Sequence, residues 1–214
     1  MNGPRGAVLV DVREAQVTLA GRPVLAPLTA QICAGDEIAV IGRSGSGKTT
    51  LLLLLAGLID PTSGLVTRHE GSIGSVPQAA SLIDDLSALE NVVLPLRLHH
   101  EGDPAGALHR ARLALDEVGL TAPHAVPGEL SGGQQQRVAI ARTLASGARI
   151  VLADEPTAAL DADNGQRILA ALRRHREQTG GALVIATHDL SVARHLGVHW
   201  RVEDGELREV DTCV

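Results

Sequence analysis

Residues Gly42-Arg43-Ser44-Gly45-Ser46-Gly47-Lys48-Thr49 fit G-x-x-x-x-G-K-[ST] without a gap. The apolar run Ile38-Ala39-Val40-Ile41 precedes them, and Thr50 followed by Leu51 to Ala56 comes after. This is the strand, glycine-rich turn and helix of a phosphate-binding loop. Glycines let the backbone curl until several N–H groups point at one spot, and the new helix adds its positive end. Lys48 can then reach the β- and γ-phosphates of a nucleotide, and the Thr49 hydroxyl can bind Mg²⁺. Gly42, Arg43, Ser44, Gly45, Ser46, Gly47, Lys48, Thr49 and Thr50 are therefore the first candidate site residues. An accidental lysine in a glycine-rich turn would explain the residue types, but not their spacing between strand and helix.

Composition bounds what surrounds that loop. A chain of 214 residues can bury a sizeable core. Its formal net charge of −6 argues against a nucleic-acid partner, which calls for a basic patch. Leu51 to Leu58 is the strongest hydrophobic stretch and falls far short of the ~20 residues that span a bilayer. Met1 to Gly6 has no apolar segment behind it, so no signal peptide is expected and a membrane link must run through a partner. Cys33 and Cys213 lie far apart, as reduced thiols of a cytoplasmic protein do. There is no Phe, no Tyr and one tryptophan, Trp200, so Leu, Val, Ile and Ala must fill the core.

Along the chain, Val8 to Val12 and Ala15 to Leu19 read as short strands, with a turn at Ala20 to Pro23. An extended stretch from Val24 to Ile32 leads through Ala34-Gly35-Asp36 into the phosphate-loop strand. Gly57 to Gln78 is rich in turn formers, with short strands at Leu65 to Thr67 and Ser75-Val76. Leu82 to Leu98 reads as helical but interrupted by Pro95. His99-His100-Glu101-Gly102-Asp103 reads as a solvated connector, since neighbouring loop side chains rarely converge on a metal. Asp103-Pro104 opens a helix that buries Leu108, Ala111, Leu115 and Val118 and ends at Gly119. A helix to about Ser146, the apolar run Ile150 to Ala153, a helix from about Ala162 to Gln178 and the run Leu183 to Ala186 follow. A short helix to Leu196 and a hairpin from Val198 to Val210 close the chain. Three apolar runs each end in polar residues, as in an open parallel sheet with ligand groups at its carboxyl edge.

Chemistry gathers at two further places. Asp154 ends a buried strand, where a carboxylate can hold Mg²⁺ opposite Thr49. Glu155, one step on, is placed to orient and deprotonate an attacking water. Acidic pairs at strand ends also serve simply as helix caps. Leu130-Ser131-Gly132-Gly133-Gln134, continuing through Gln135 to Arg142, is a second phosphate-competent helix start.

These motifs, in this order, resemble the ATP-binding cassette ATPases of ABC transporters over nearly the whole chain. The match runs from the P-loop, Gly42 to Thr49, through Gln78 of the Q-loop to the signature, Leu130 to Gln134. It continues with Ile150 to Glu155 of Walker B, Ala159-Leu160-Asp161 of the D-loop and the switch histidine His188. The resemblance implies an α/β fold: a P-loop NTPase (RecA-like) parallel-sheet core, a small antiparallel β region and a helical subdomain carrying the signature. Residues 1–214 would form one domain, with 1–78 and 147–214 as the core and 79–146 as the helical part. It implies catalytic roles for Glu155, His188 and Gln78, and Mg²⁺ ligation by Thr49, Gln78 and Asp154. Ser131, Gly132, Gly133 and Gln134 would meet ATP bound to another protomer, with Asp161 at the dimer interface. The partners implied are a second cassette, identical or paired, in an ATP sandwich, and integral membrane permease subunits. The protein would then lie in the cytoplasm, peripheral on the inner face of the membrane.

Two departures stand out. The family stacks adenine on an aromatic residue whose best-aligned position here is Leu19, so looser base selection is expected, with binding resting on the phosphates. Gly57 to Gln78 is short, so a trimmed antiparallel sheet is expected there. Ser87 to Val92 and Leu94 to Leu96 resemble lipoprotein-release and macrolide-exporter cassettes, whereas the short segment before Gln78 looks like metal-import cassettes. Cargo and direction stay open. An ABC ATPase of DNA or ribosomes is disfavoured by the acidic charge and by the lack of a coiled-coil insertion or second cassette. A cassette that regulates an envelope partner without transport remains the alternative.

Overall fold

The computed structural model describes residues 6–69, 71–99 and 103–210. Its centre is the apolar strands anticipated from sequence: β3 (Glu37–Ile41), β6 (Ile150–Asp154) and β7 (Ala182–Thr187). Every residue of β6 and β7 is buried, as befits parallel strands covered on both faces. Together with β5 (Ile73–Val76), β8 (Val198–Glu203) and β9 (Glu206–Val210) they form a six-stranded sheet in the order β5-β6-β7-β3-β8-β9. Only β9 runs antiparallel to its neighbour.

Side-chain alternation splits this sheet between two cores. Ala39, Ile41, Val151, Ala153, Leu183 and Ile185 face one way, towards α5 (Ala162–Thr179) and α6 (Leu190–Ala193). The same cluster takes in α2 (Ala88–His99), α3 (Pro104–Glu117) and α4 (Gly132–Ala145), the helices of residues 79–146. Ile38, Val40, Leu152, Val184 and Ala186 face the other way, onto α1 (Lys48–Ala56) and a second sheet. That sheet is antiparallel, in the order β2-β1-β4, from β1 (Val8–Leu19), β2 (Arg22–Cys33) and β4 (Ser63–Arg68). Leu51, Leu52, Leu54 and Leu55 of α1 are all buried between the sheets, which explains a helix that is apolar nearly all round. The sole tryptophan, Trp200, is buried in the same core beside Val40.

Several expectations change. The strands anticipated at Val8 to Val12 and Ala15 to Leu19 are one strand. Arg13 and Glu14 together oppose Thr29, because Val12 pairs with Ala30 and Ala15 with Leu28. This is a β-bulge, with Glu14 at φ 46 and its N–H donating to Thr29 Oγ1 at 3.1 Å. Ser75-Val76, placed among turn formers, belongs to an edge strand of the parallel sheet, while the antiparallel sheet has three strands. The helix through Pro95 is continuous but begins only at Ala88. A Ser87–Glu90 capping box starts it, with Ser87 N donating to Glu90 Oε2 at 2.8 Å and Glu90 N to Ser87 Oγ at 3.3 Å. Buried Asn91 ties down the loop before it, bonding the Ile83 and Leu86 carbonyls at 3.1 and 2.9 Å. Pro95 then removes one helical donor, and packing of Val92, Val93 and Leu96 holds the helix together.

Asp103 and Pro104 start α3 as anticipated, with Gly106 N donating to Asp103 Oδ1 at 2.8 Å. The last short helix stops at Ala193, before Leu196. His100, Glu101 and Gly102 of the anticipated connector, and Cys213, lie outside the described residues. Among those described, no three His, Cys, Asp or Glu side chains are grouped to hold a metal ion.

Candidate functional site

Four parallel strands deliver their ends to one edge of the sheet, and the site is built there. The loop leaving β3 begins at Gly42, which is pressed against β8: a Cβ would stand 2.3 Å from the Val202 carbonyl oxygen. At the far end Gly47 takes φ 110 as the N-cap of α1, a conformation that glycine alone adopts readily. Lys48, largely buried, folds back so that Nζ donates to the Gly42 and Arg43 carbonyls at 2.8 and 3.1 Å. Those are weak acceptors for an ammonium, and phosphate oxygens would be stronger ones. Ser46 Oγ, buried within the loop, has no hydrogen-bond partner. A loop with an orphaned hydroxyl and a lysine paired to no carboxylate fits an anionic ligand.

At the end of β6, Asp154 Oδ2 accepts from Thr49 Oγ1 at 2.6 Å. Burial raises the Asp154 carboxyl above the usual range, and neighbouring Glu155 adds to this. The Thr49 bond and the Lys48 charge act in the opposite direction. A carboxylate so disfavoured when ionised, with a threonine hydroxyl on it, suits a hard divalent cation.

Glu155 leaves the strand with φ 49, and its N–H donates to Ala186 O of β7 at 2.9 Å. The carboxylate is thereby turned towards the end of β7. Glu155 Oε1 meets His188 Nδ1 at 2.7 Å and accepts from the His188 N–H at 3.0 Å. Glu155 Oε2 accepts from Thr187 Oγ1 at 3.2 Å. The Glu155 side chain is 11% exposed and that of His188 71%, so the imidazole covers the carboxylate from the solvent side.

Gln78 follows β5 by two residues, and the edge position of that strand brings it to the same rim. Lys48, Thr49, Thr50, Gln78, Asp154, Glu155 and His188 line one cavity of about 490 Å³, together with Val24, Ser44, Gly45 and Gly47. A larger hollow of about 850 Å³ adjoins it, sharing Val24, Ser44 and Gly45. Its other walls are Arg43 and Ser46, Arg22 and Pro23 at the start of β2, and Val202 to Gly205 of the β8–β9 turn.

Ser131, Gly132, Gly133 and Gln134 line neither cavity. They open α4 on the surface as a capping box, with Gln134 N donating to Ser131 Oγ at 3.2 Å and Ser131 N to Gln134 Oε1 at 2.7 Å. Asp161 also lies outside, capping α5 by accepting from Asn164 N and Nδ2, both at 2.8 Å. Those bonds lower its carboxyl below the usual range. The two outlying groups are neighbours: a Cβ on Gly133 would meet Ala159 O at 2.8 Å. Leu19, the position aligned with adenine stacking, is 47% exposed at the β1–β2 hairpin and lines neither cavity.

Sequence reasoning did not name Thr187, Val24, Arg22, Glu203 or Asp204 as site residues. Thr187 carried a signal, since it ends an apolar run beside His188. The others carried none, because they reach the site only through the approach of the β1–β2 hairpin to the β8–β9 turn, joined by Ala26 N donating to Gly205 O at 2.9 Å.

The family model for ABC transporters matches residues 25–158. The lipoprotein-releasing system ATP-binding protein LolD of Hydrogenovibrio crunogenus is 38% identical over 200 residues, covering 86% of this chain and 86% of that protein. The macrolide export ATP-binding/permease protein MacB of Escherichia coli is 40% identical over 203 residues, but this chain spans only 31% of its length. An ABC transporter ATP-binding protein of Methanocaldococcus jannaschii, MJ0796, is 39% identical over 193 residues, covering 81% of this chain and 82% of that one. A dimeric structure of MJ0796 superposes with a TM-score of 0.88 at 34% identity, covering 96% of this chain and all of that one. A second, dimeric and in a post-hydrolysis state bound to ADP and Pi, gives 0.85 at the same identity and coverage. The chain belongs to the ABC transporter family, as one of its ATP-binding cassettes.

Proposed function

We propose that this chain is the ATP-hydrolysing subunit of an ABC transporter, closing in pairs around Mg²⁺-ATP and opening on hydrolysis to drive a membrane permease. One observation carries the reading: Lys48, Thr49, Gln78, Asp154, Glu155 and His188 share a cavity while Ser131 to Gln134 stand outside it on the surface. Such a cavity is half a site, and a second cassette facing it supplies the rest. The dimeric MJ0796 structures, one of them holding ADP and Pi, support that arrangement.

In this reading Lys48 exchanges its two carbonyl acceptors for phosphate oxygens, and the loop amides from Gly42 to Thr49, with Thr50, hold the phosphate chain. Thr49, Asp154 and Gln78 hold Mg²⁺, which neutralises charge developing on the phosphates. Glu155 accepts the proton of the attacking water, and His188 must first release Glu155 Oε1 to face the γ-phosphate. Ser131, Gly132, Gly133 and Gln134 of one protomer close over the nucleotide of the other, with Asp161 beside them at the interface. Residues 79–146 form the arm that carries this surface. Loss of the γ-phosphate contacts reopens the pair, which is the stroke passed to the permease.

Among the described residues no helix is long and apolar enough to cross a membrane. The proposed location is therefore the cytoplasmic face, held there by membrane subunits. LolD and MacB are named for lipoprotein release and macrolide export, which supports an outward-acting system. With a net charge of −6, no nucleic-acid partner is proposed.

The test is a pair of substitutions. Glu155→Gln is expected to keep ATP affinity, lower kcat by about 10²–10⁴-fold and accumulate an ATP-bound dimer on size exclusion. Lys48→Ala is expected to lose binding and turnover together. Turnover near wild type in Glu155→Gln removes Glu155 as the base.

A further inference from the structure

The nucleotide base has no aromatic partner in this chain, and the position aligned with that role, Leu19, lines neither cavity. The hollow that continues the phosphate cavity is polar instead. Arg22 and Arg43 stand on its walls, and neither guanidinium has a hydrogen bond or ion pair among the described residues. Glu203 and Asp204 of the β8–β9 turn line the same hollow, Glu203 lying 3.9 Å from Arg201. Ser44, Gly45 and Val24 belong to both spaces, so a ligand whose phosphates lie on the loop extends its other end into this hollow.

We infer that Arg22 is the base-recognition residue: a purine stacks on its guanidinium, with the polar edge of the base turned to the carboxylates of Glu203 and Asp204. This rests on the nucleotide-binding reading above and adds where, and how selectively, the base is held. A guanidinium is planar, weakly hydrated and always charged, so it stacks on π-faces as an ammonium does not. A carboxylate accepts one bond from the N6 amine of adenine and two from the N1–H and N2 amine of guanine. Stacking is indifferent to which purine is present, so the edge contacts give ATP no advantage. GTP is therefore bound at least as tightly as ATP.

The experiment is calorimetric titration of the full chain with Mg²⁺-ATP, Mg²⁺-GTP and inorganic tripolyphosphate, for wild type, Arg22→Ala and Arg22→Lys. Wild type is expected to bind both nucleotides more tightly than tripolyphosphate. Arg22→Ala should weaken both by about three- to tenfold while leaving tripolyphosphate unchanged. Arg22→Lys keeps the charge and should fail to restore the loss. Unchanged nucleotide affinity in Arg22→Ala overturns the assignment, as does an equal loss for tripolyphosphate, which would make Arg22 a phosphate contact. A hundredfold preference for ATP over GTP overturns it as well. If wild type binds tripolyphosphate but ATP no more tightly, the base site alone fails. If it binds neither, the nucleotide-binding reading fails with it.

Discussion

Asp154 carries a cost that its function would explain. It is buried and has Glu155 next to it, and these outweigh the Thr49 bond and the Lys48 charge, so the ionised form is disfavoured in the folded chain. Because the folded state holds this proton more tightly than the unfolded state does, the stabilisation is complete at acid pH. It is lost as pH rises through the raised value. Metal-free protein should thus forfeit stability as pH rises above the usual carboxylate range. Asp154→Asn keeps the shape and an acceptor for Thr49 but cannot ionise. It is expected to melt above wild type in EDTA at pH 7.5, by about 2–4 °C per kcal/mol relieved, with the gap narrowing as pH falls. Thermal melts across pH read this directly, and a variant that melts lower at every pH would refute it. Added Mg²⁺-ATP should reverse the order, since wild type alone keeps the carboxylate ligand.

At the scale of elements, α4 does more than present Ser131. Its Gln136 Nε2 donates to Pro77 O at 3.3 Å, Arg142 donates to Ser81 O and Ala80 O at 3.1 and 3.2 Å, and Thr143 Oγ1 donates to Ser75 O at 3.1 Å. The segment around Gln78 is thus fastened along the helix that begins with the signature. Arg142→Ala is expected to cost about 1.5–3 kcal/mol and to speed amide exchange in residues 79–82. Its kcat should fall with ATP affinity retained, because Arg142 touches no residue of the phosphate loop. Unchanged exchange in that segment would show that the fastening does not matter. None of this clasp was legible in the sequence, whereas the loop from Gly42 to Thr49 and the pair Asp154-Glu155 were. Those follow from local rules, a strand ending in a turn. Gln136 and Arg142 act across some sixty residues of chain. For the same reason the edge placement of β5 and the bulge at Glu14 could not be read: each depends on which strand lies alongside. Pro95 misled because tertiary packing outweighed a local propensity.

In the proposed reading the molecule presents two half-sites, the cavity lined by Lys48 to His188 and, outside it, Ser131 to Gln134, and this division can be tested without a ligand-bound structure. In a two-fold pair, each ATP would lie between the loop of one protomer and the signature of the other. Lys48→Ala spoils a loop and leaves the signature intact. Ser131→Arg places a bulky cation on the exposed signature and leaves the loop intact, at the cost of the α4 cap, about 0.5–2 kcal/mol. Each variant alone should be nearly inactive, because every site in its homodimer contains the defect. Mixed in equal amounts, half of the dimers are heterodimers, and each of these has one wholly wild-type site and one doubly damaged one. The mixture should therefore recover about a quarter of wild-type sites, provided the sites turn over independently. Steady-state phosphate release on mixing measures it, with melting curves confirming that both variants are folded. A site complete within one chain predicts the opposite pattern: Ser131→Arg active by itself, and a mixture showing only the average of its parts.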